Sequence, residues 1–262
     1  MAGGLLFAVL ISASSFQLPV QFPVSLFSAN REPRTANREP RTANREPRTA
    51  SRGIMNPSVT PDDYAKARRL LLRRDPVLAA LIRKHGECGL AQAQRADHFS
   101  ALVRAITGQQ LSTKAASTIF ARLVALMPDG VTPGALSTLT DEQLRSVGMS
   151  RQKITYFRDL CEKSLSGVVP LDSIESLTDD EVIVALTKVR GIGRWSAEMF
   201  LMFRLHRPDV LPVDDLGIVN AVKNVYRLRK RPTADRIRKI GEAWRPYRSV
   251  ASWYLWRSLD NE

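Results

Sequence analysis

The chain has 262 residues and a formal net charge of +13, from 39 Lys and Arg against 26 Asp and Glu. Residues 1–54 hold seven Arg and three Glu, so a net charge of +9 belongs to the rest of the chain. A basic body of this size can bury a core as one or two domains, and it favours nucleic acid or an anionic membrane as partner over a merely solvated surface. The two cysteines, Cys88 and Cys161, lack metal-site spacing, which argues against a disulfide scaffold, a zinc site or an iron–sulfur cluster.

The first 54 residues differ in composition from the rest. Residues 29–49 are three copies of A-N-R-E-P-R-T, which hold no large apolar residue, so we expect this segment to be disordered. The apolar stretch Leu5–Ile11 is too short to span a membrane and lacks the preceding Lys or Arg of a signal peptide. A transit peptide is the alternative. We expect Met55 to be the true start, residues 1–54 to be a mis-assigned extension, and residues 55–262 to form one domain, which would be cytoplasmic and nucleoid-associated in a bacterium.

From Thr60 onward the pattern is helical, and no stretch shows sustained strand alternation. Polar residues that precede apolar runs at helical spacing predict helix starts at Thr60-Pro61, Asp75-Pro76, Asp97, Ser112 and Ser150. Capping boxes predict two more starts, at Thr140–Gln143 and Thr178–Glu181. Three further helices are predicted over 215–227, 232–243 and 247–259. The sequence therefore predicts an all-α domain of about ten helices.

A glycine-rich turn, Arg190-Gly191-Ile192-Gly193, separates two of the predicted helices. This pattern indicates a helix–hairpin–helix. Gly191 and Gly193 leave backbone N–H groups accessible, and the N-terminus of the second helix adds to an arrangement suited to a DNA phosphate. The alternative is a plain turn with glycine at a helix C-terminus. Arg194 and the basic body favour DNA.

An acidic pair, Asp214-Asp215, follows Pro212 and stands at the start of the helix predicted over 215–227. An acidic residue at a helix start commonly caps the first turn and stabilises it by about 1 kcal/mol. We assign this cap to Asp214. Because a cap needs only one carboxylate, Asp215 becomes the candidate for chemistry.

The glycine turn with Arg194-Trp195, followed about twenty residues later by P-x-D-D, resembles the helix–hairpin–helix DNA glycosylase superfamily. Within it, the chain resembles the 3-methyladenine DNA glycosylase II group. Three more segments agree in the same order, over 104–116, 153–160 and 244–256, so that the resemblance covers roughly residues 60–258. It implies an all-helical fold of two lobes with the active-site cleft between them. It also implies a monomeric enzyme of base excision repair that removes alkylated purines from double-stranded DNA.

The resemblance further implies a role for each site residue. Asp215 stands at the place of the catalytic carboxylate, where it would stabilise an oxocarbenium-like sugar or orient the attacking water. Trp195 stands where bifunctional members carry the Lys that forms a Schiff base, so a monofunctional enzyme is expected. Trp195 and Trp256 would line the pocket for a flipped, cationic base. Met199 and Leu216 occupy pocket positions that are aromatic in some relatives, which leaves the range of lesions open.

The remaining implied contacts concern DNA and a cation. Gln110 stands where the family places the wedge that fills the gap left by the flipped base, and the hairpin residues that would hold the DNA backbone are Gly191, Gly193 and Arg194. The family's hairpin often binds a monovalent cation through backbone carbonyls, which are here those of Thr187, Val189 and Ile192. No other cofactor is expected.

Two alternatives to this function remain open. A non-enzymatic hairpin module would bind DNA without needing the acid at Asp215 or the pocket aromatics. A bifunctional glycosylase/lyase would need an amine where Trp195 stands. A basic membrane-surface protein is disfavoured because no strongly amphipathic basic helix with aromatic residues on its apolar face is evident.

Overall fold

The computed structural model describes residues 61–92 and 97–260, so the repeats and the start expected at Met55 lie outside the described residues. All regular structure in this part of the chain is helical, which confirms the all-α prediction. The α-helices are α1 Pro61–Arg74, α2 Pro76–His85, α3 His98–Gly108, α4 Thr113–Ala125, α5 Pro133–Thr138, α6 Asp141–Ser146, α7 Arg151–Leu165, α8 Asp179–Thr187, α9 Arg194–Phe203, α10 Leu216–Val225, α11 Ala234–Gly241 and α12 Arg248–Arg257. Short 3₁₀-helices cover Gly89–Gln92, Leu171–Ser176 and Glu242–Trp244.

Side-chain caps fix most of the helix starts, as the sequence predicts. Asp75, Asp97, Ser112 and Ser150 each accept a hydrogen bond from a backbone N–H in the first turn of their helix. Both predicted capping boxes form, with the reciprocal bonds of Thr140 to Gln143 and of Thr178 to Glu181. The short helix α5 was not predicted, although Thr132 caps it and a proline opens it.

The closest helix packing falls into two groups. The first two helices, α1 and α2, pack with α12, which also packs on α10. In the second group, α7 packs against α3, α5 and α6, and α3 packs on α4. Helices α8 and α9 form a pair of their own. None of the helices in 61–92 and 97–260 is long and apolar enough to cross a membrane.

A buried carboxylate, Asp75, joins distant parts of the first group. Its Oδ1 caps α2. Its Oδ2 accepts hydrogen bonds from Tyr226 Oη at 2.5 Å and from Trp244 Nε1 at 2.8 Å. Because Tyr226 directly follows α10, these bonds anchor the C-terminal end of that helix against α2. A buried charge must be satisfied by hydrogen bonds of this kind. The orientation of α10 matters because its other end carries the acidic pair.

Candidate active site

Asp215 is the N-terminal cap of α10. Its Oδ1 accepts the backbone N–H of Ile218 at 2.8 Å, while Asp214 is exposed. The prediction that Asp214 caps this helix is therefore wrong. The residue directly before the first helical residue is the one whose side chain reaches the third backbone N–H of the helix, and that residue is Asp215. A capping role and a chemical role thus fall on the same carboxylate.

Two indole N–H groups complete the hydrogen bonding of this carboxylate. Trp195 Nε1 donates to Asp215 Oδ2 at 2.7 Å, and Trp256 Nε1 donates to Oδ1 at 2.9 Å. The tryptophans come from α9 and α12, so three helices meet at Asp215. Hydrogen bonds to a charged group contribute about 1.5–3 kcal/mol each. The sequence prediction concerned only the aromatic faces of the tryptophans, and their N–H groups hold the carboxylate in a fixed orientation.

Two residues that the sequence analysis missed support this arrangement. A Cβ added at Gly217 would lie 3.0 Å from both Asp215 Oδ1 and Trp256 Cδ1, so the glycine allows the indole to approach the carboxylate. Phe203 stacks on Trp256, with ring centroids 5.9 Å apart and an interplanar angle of 26°. The signal for Gly217 was present in the sequence, since a glycine in the first turn of a helix weakens the helix and calls for a steric reason.

The other predicted pocket residues adjoin this cluster along the chain. Met199 is buried one helical turn after Trp195 on α9. Leu216 is partly buried and directly follows Asp215. Trp256 is only 5% exposed, whereas Trp195 is half-buried. Of the two tryptophans, Trp195 therefore presents the more accessible ring to a ligand beside the carboxylate.

The predicted hairpin forms between α8 and α9. Gly191 has a φ of +81°, in the left-handed region that favours glycine, and Gly193 is the residue before α9. Both glycines are exposed. A Cβ at Gly191 would lie 2.3 Å from Cδ2 of Tyr156, so the backbone of the turn rests directly on an aromatic ring of α7.

The loop between α3 and α4 lies against this hairpin. Gln109 Nε2 donates to the carbonyl of Gly191 at 2.7 Å. The next residue, Gln110, is exposed and has a φ of +58°. Lys153 Nζ, on α7, donates to the carbonyl of Thr107 at 2.6 Å and so holds the end of α3. Gln109 thus faces the protein, while Gln110, the predicted wedge, stands at the exposed turn of the loop.

Arg194 and Glu198 form an ion pair beside the acidic pair. Arg194 Nε donates to Glu198 Oε1 at 3.0 Å; the arginine side chain is 61% exposed and the glutamate side chain 7%. Burial raises the pKa of Glu198, Arg194 opposes that rise, and the charges of Asp214 and Asp215 add to it. Glu198 is therefore close enough to sense the charge of Asp215. Its partner Arg194 points toward solvent at the start of α9, where the sequence predicts a DNA contact.

The carbonyls predicted to bind a cation lie in the same turn. Val189 O accepts the backbone N–H of Ile192 at 3.1 Å, which leaves its second lone pair available to a cation. Within the described part of the chain, no group of three or more His, Cys, Asp or Glu could hold a metal ion. The monovalent cation site on backbone oxygens stays a prediction.

Known proteins share this arrangement of helices. Residues 103–246 match the family described as HhH-GPD superfamily base excision DNA repair protein. DNA-3-methyladenine glycosylase 1 of Schizosaccharomyces pombe is 38% identical over 168 residues, which are 63% of this chain and 74% of that protein. The matched family region contains the hairpin and Asp215, while Trp256 lies beyond its end.

Two solved structures are similar over most of the described residues. One is the S. pombe 3-methyladenine DNA glycosylase in complex with abasic DNA, with a TM-score of 0.63 and 35% identity over 74% of this chain and 96% of that chain. The other is a DNA-3-methyladenine glycosidase from Bacillus halodurans, with a TM-score of 0.67 and 37% identity over 73% of this chain and 88% of that chain.

Proposed function

The chain belongs to the HhH-GPD superfamily of base excision DNA repair proteins, and we propose that it is a monofunctional DNA glycosylase, active as a monomer on alkylated purines in double-stranded DNA. Its similarity to proteins named DNA-3-methyladenine glycosylase supports both the enzyme class and the substrate class. The observation that carries the proposal is the carboxylate of Asp215, whose two oxygens accept hydrogen bonds from two indole N–H groups and a backbone N–H of α10. A DNA-binding module would need no such arrangement.

The proposed chemistry requires little acid catalysis. The target nucleotide is rotated out of the duplex, at a cost of a few kcal/mol. The C–N bond between sugar and base then breaks, and its electron pair leaves with the base. An alkylated purine is cationic, so it departs as a neutral base. The positive charge passes to the sugar, where the carboxylate of Asp215 stabilises it until water adds to the anomeric carbon and loses a proton.

The same geometry argues for a monofunctional enzyme. A lyase step needs an amine that attacks the sugar and forms an iminium ion. Trp195 stands where bifunctional members carry that amine. Its indole nitrogen has no basic lone pair and donates its N–H to Asp215. In this proposal the product is an abasic site with an intact DNA backbone.

Each predicted DNA contact has a place in this mechanism. The exposed amides of Gly191 and Gly193, with Arg194, would bind a phosphate without regard to sequence. Gln110 would enter the gap left by the flipped base, since it is exposed at the turn of its loop. A monovalent cation on the carbonyls of Thr187, Val189 and Ile192 would place positive charge near the same phosphate.

The test of the proposal is the release of free bases. We expect the purified chain, incubated with methylated duplex DNA, to release 3-methyladenine or 7-methylguanine, measured by chromatography. The strand should stay intact until alkali cleaves the abasic site, and borohydride should trap no covalent complex. Binding without release would favour a non-enzymatic module. A trapped complex would overturn the monofunctional assignment.

The indole N–H groups provide a finer test of the site. Replacement of Trp195 by Phe keeps an aromatic ring but removes the donor to Asp215 Oδ2. We expect the single-turnover rate of base release to fall roughly 10- to 100-fold, because one hydrogen bond to a charged group is lost. Trp256→Phe should act in the same direction through Oδ1.

The matched control is Trp253→Phe, on the same helix as Trp256. Trp253 packs against Tyr254 and Gly89 rather than against the carboxylate. This variant should release bases at the wild-type rate under saturating enzyme. A wild-type rate in Trp195→Phe as well would show that Trp195 acts by ring stacking alone, without its N–H group.

A further inference from the structure

Two backbone N–H groups of the hairpin are held by acceptors within the protein. The N–H of Arg190 donates to Asp159 Oδ2 at 2.8 Å, and the N–H of Ile192 donates to Val189 O at 3.1 Å. Gly191 lies between Arg190 and Ile192, and Gly193 follows them. Both glycines are exposed. The N–H of Arg190, next to the exposed Gly191, is thus held by an acceptor that lies outside the hairpin.

That acceptor belongs to an ion pair on α7. Asp159 Oδ2 also accepts from Lys163 Nζ at 2.6 Å, and Lys163 Nζ donates in turn to the carbonyl of Lys188 at 2.5 Å. The pair therefore holds the turn at both an N–H and a carbonyl. The side chain of Asp159 is only 9% exposed. Although burial alone would raise the pKa of Asp159, the hydrogen bonds from Lys163 and from the N–H of Arg190 hold it below its ordinary value.

We propose that Asp159 is a positioning residue for DNA binding, which sets the hairpin so that the amides of Gly191 and Gly193 meet one phosphate. This inference rests on the proposed function, since it needs DNA as the ligand of the hairpin. The carboxylate of Asp215 is held by a different set of hydrogen bonds, which come from α9, α10 and α12. Loss of Asp159 should therefore weaken binding more than it slows the chemical step.

Asp159→Ala and Asp159→Asn in the full chain test the proposal. Ala removes both hydrogen bonds and also the 3.6 Å ion pair of Oδ1 with Arg190 Nε, whereas Asn keeps an oxygen for the N–H of Arg190 and loses the ion pairs with Lys163 and Arg190. Binding to an undamaged duplex is measured by fluorescence anisotropy over a series of salt concentrations. We expect Ala to raise Kd about tenfold, with Asn intermediate, and to leave the slope of log K against log salt almost unchanged, because the amides that lose the phosphate carry no net charge. Single-turnover base release at saturating enzyme should stay within about twofold of wild type.

The matched control is Asp141→Asn, which breaks the 2.8 Å ion pair between Asp141 at the start of α6 and Arg158 of α7. It should leave Kd and the salt slope unchanged. An unchanged Kd in the folded Asp159 variants, or a saturating rate that falls as far as affinity, would overturn the inference. If Ala fails to fold, Asn decides alone. A wild-type chain that neither binds DNA nor releases bases would instead defeat the proposed function.

Discussion

Asp215→Asn is expected to lower the single-turnover rate of release of methylated bases by roughly 10²- to 10³-fold, the usual effect of removing one electrostatic stabiliser from an active site. The substitution removes the negative charge that would face the developing cation on the sugar. It also places an NH₂ group either against the N–H of Trp195 or against those of Trp256 and Ile218, so at least one donor loses its acceptor. Because the hairpin is untouched, binding to undamaged duplex should remain at the wild-type level.

Asp214→Asn is the matched control for this substitution. Asp214 adjoins Asp215 in sequence, has the same charge and is exposed. Removal of its charge should change the rate of base release little, while it affects long-range attraction to DNA to the same extent as Asp215→Asn. Equal loss of activity in both variants would mean that general charge, rather than the held carboxylate, governs the reaction.

Gly191→Ala is expected to destabilise the hairpin by about 1–3 kcal/mol through left-handed backbone strain, before any clash is counted. The new Cβ would lie 2.3 Å from the ring of Tyr156, so either the ring or the turn must move. Tyr156 is itself held through its hydroxyl by Gln152. We therefore expect a lower melting temperature together with weaker binding to undamaged duplex, measured by thermal unfolding and by anisotropy.

The other hairpin glycine provides the comparison. Gly193 has a φ of −92°, and a Cβ there would meet no atom of the described residues within 4 Å. Gly193→Ala should therefore leave the melting temperature almost unchanged, and any loss of DNA affinity would come from the new methyl group at the phosphate. Equal destabilisation by the two substitutions would contradict the contact between Gly191 and Tyr156.

Local signals in the sequence account for most of the fold. A cap is a contact between residues three apart, so Ser112, Thr140 and Thr178 could be recognised without a structure. The acidic pair shows where this reasoning fails. Adjacent residues of one type differ only in which of them precedes the first helical residue, and a shift of one position moved the cap from Asp214 to Asp215.

The contacts that define the site could not be predicted in the same way. Trp195 and Trp256 lie 20 and 41 positions from Asp215, and only the packing of α9, α10 and α12 brings their N–H groups to it. Gln109 and Gln110 are chemically identical, and the backbone conformation alone turns one inward and the other outward. The resemblance to a family placed these residues near the site, but it did not reveal which atoms they use.

The Asp75 anchor has a consequence for where the chain can be shortened. The helices that hold α10 in place, α2 and α12, come from opposite ends of the described chain, and both lie outside the family match over residues 103–246. A fragment trimmed to that match would retain Asp215 and the hairpin. It would lose the indole of Trp256 at one end of α10 and the carboxylate of Asp75 at the other. The carboxylate of Asp215 therefore depends on segments beyond the boundaries by which its own family is recognised.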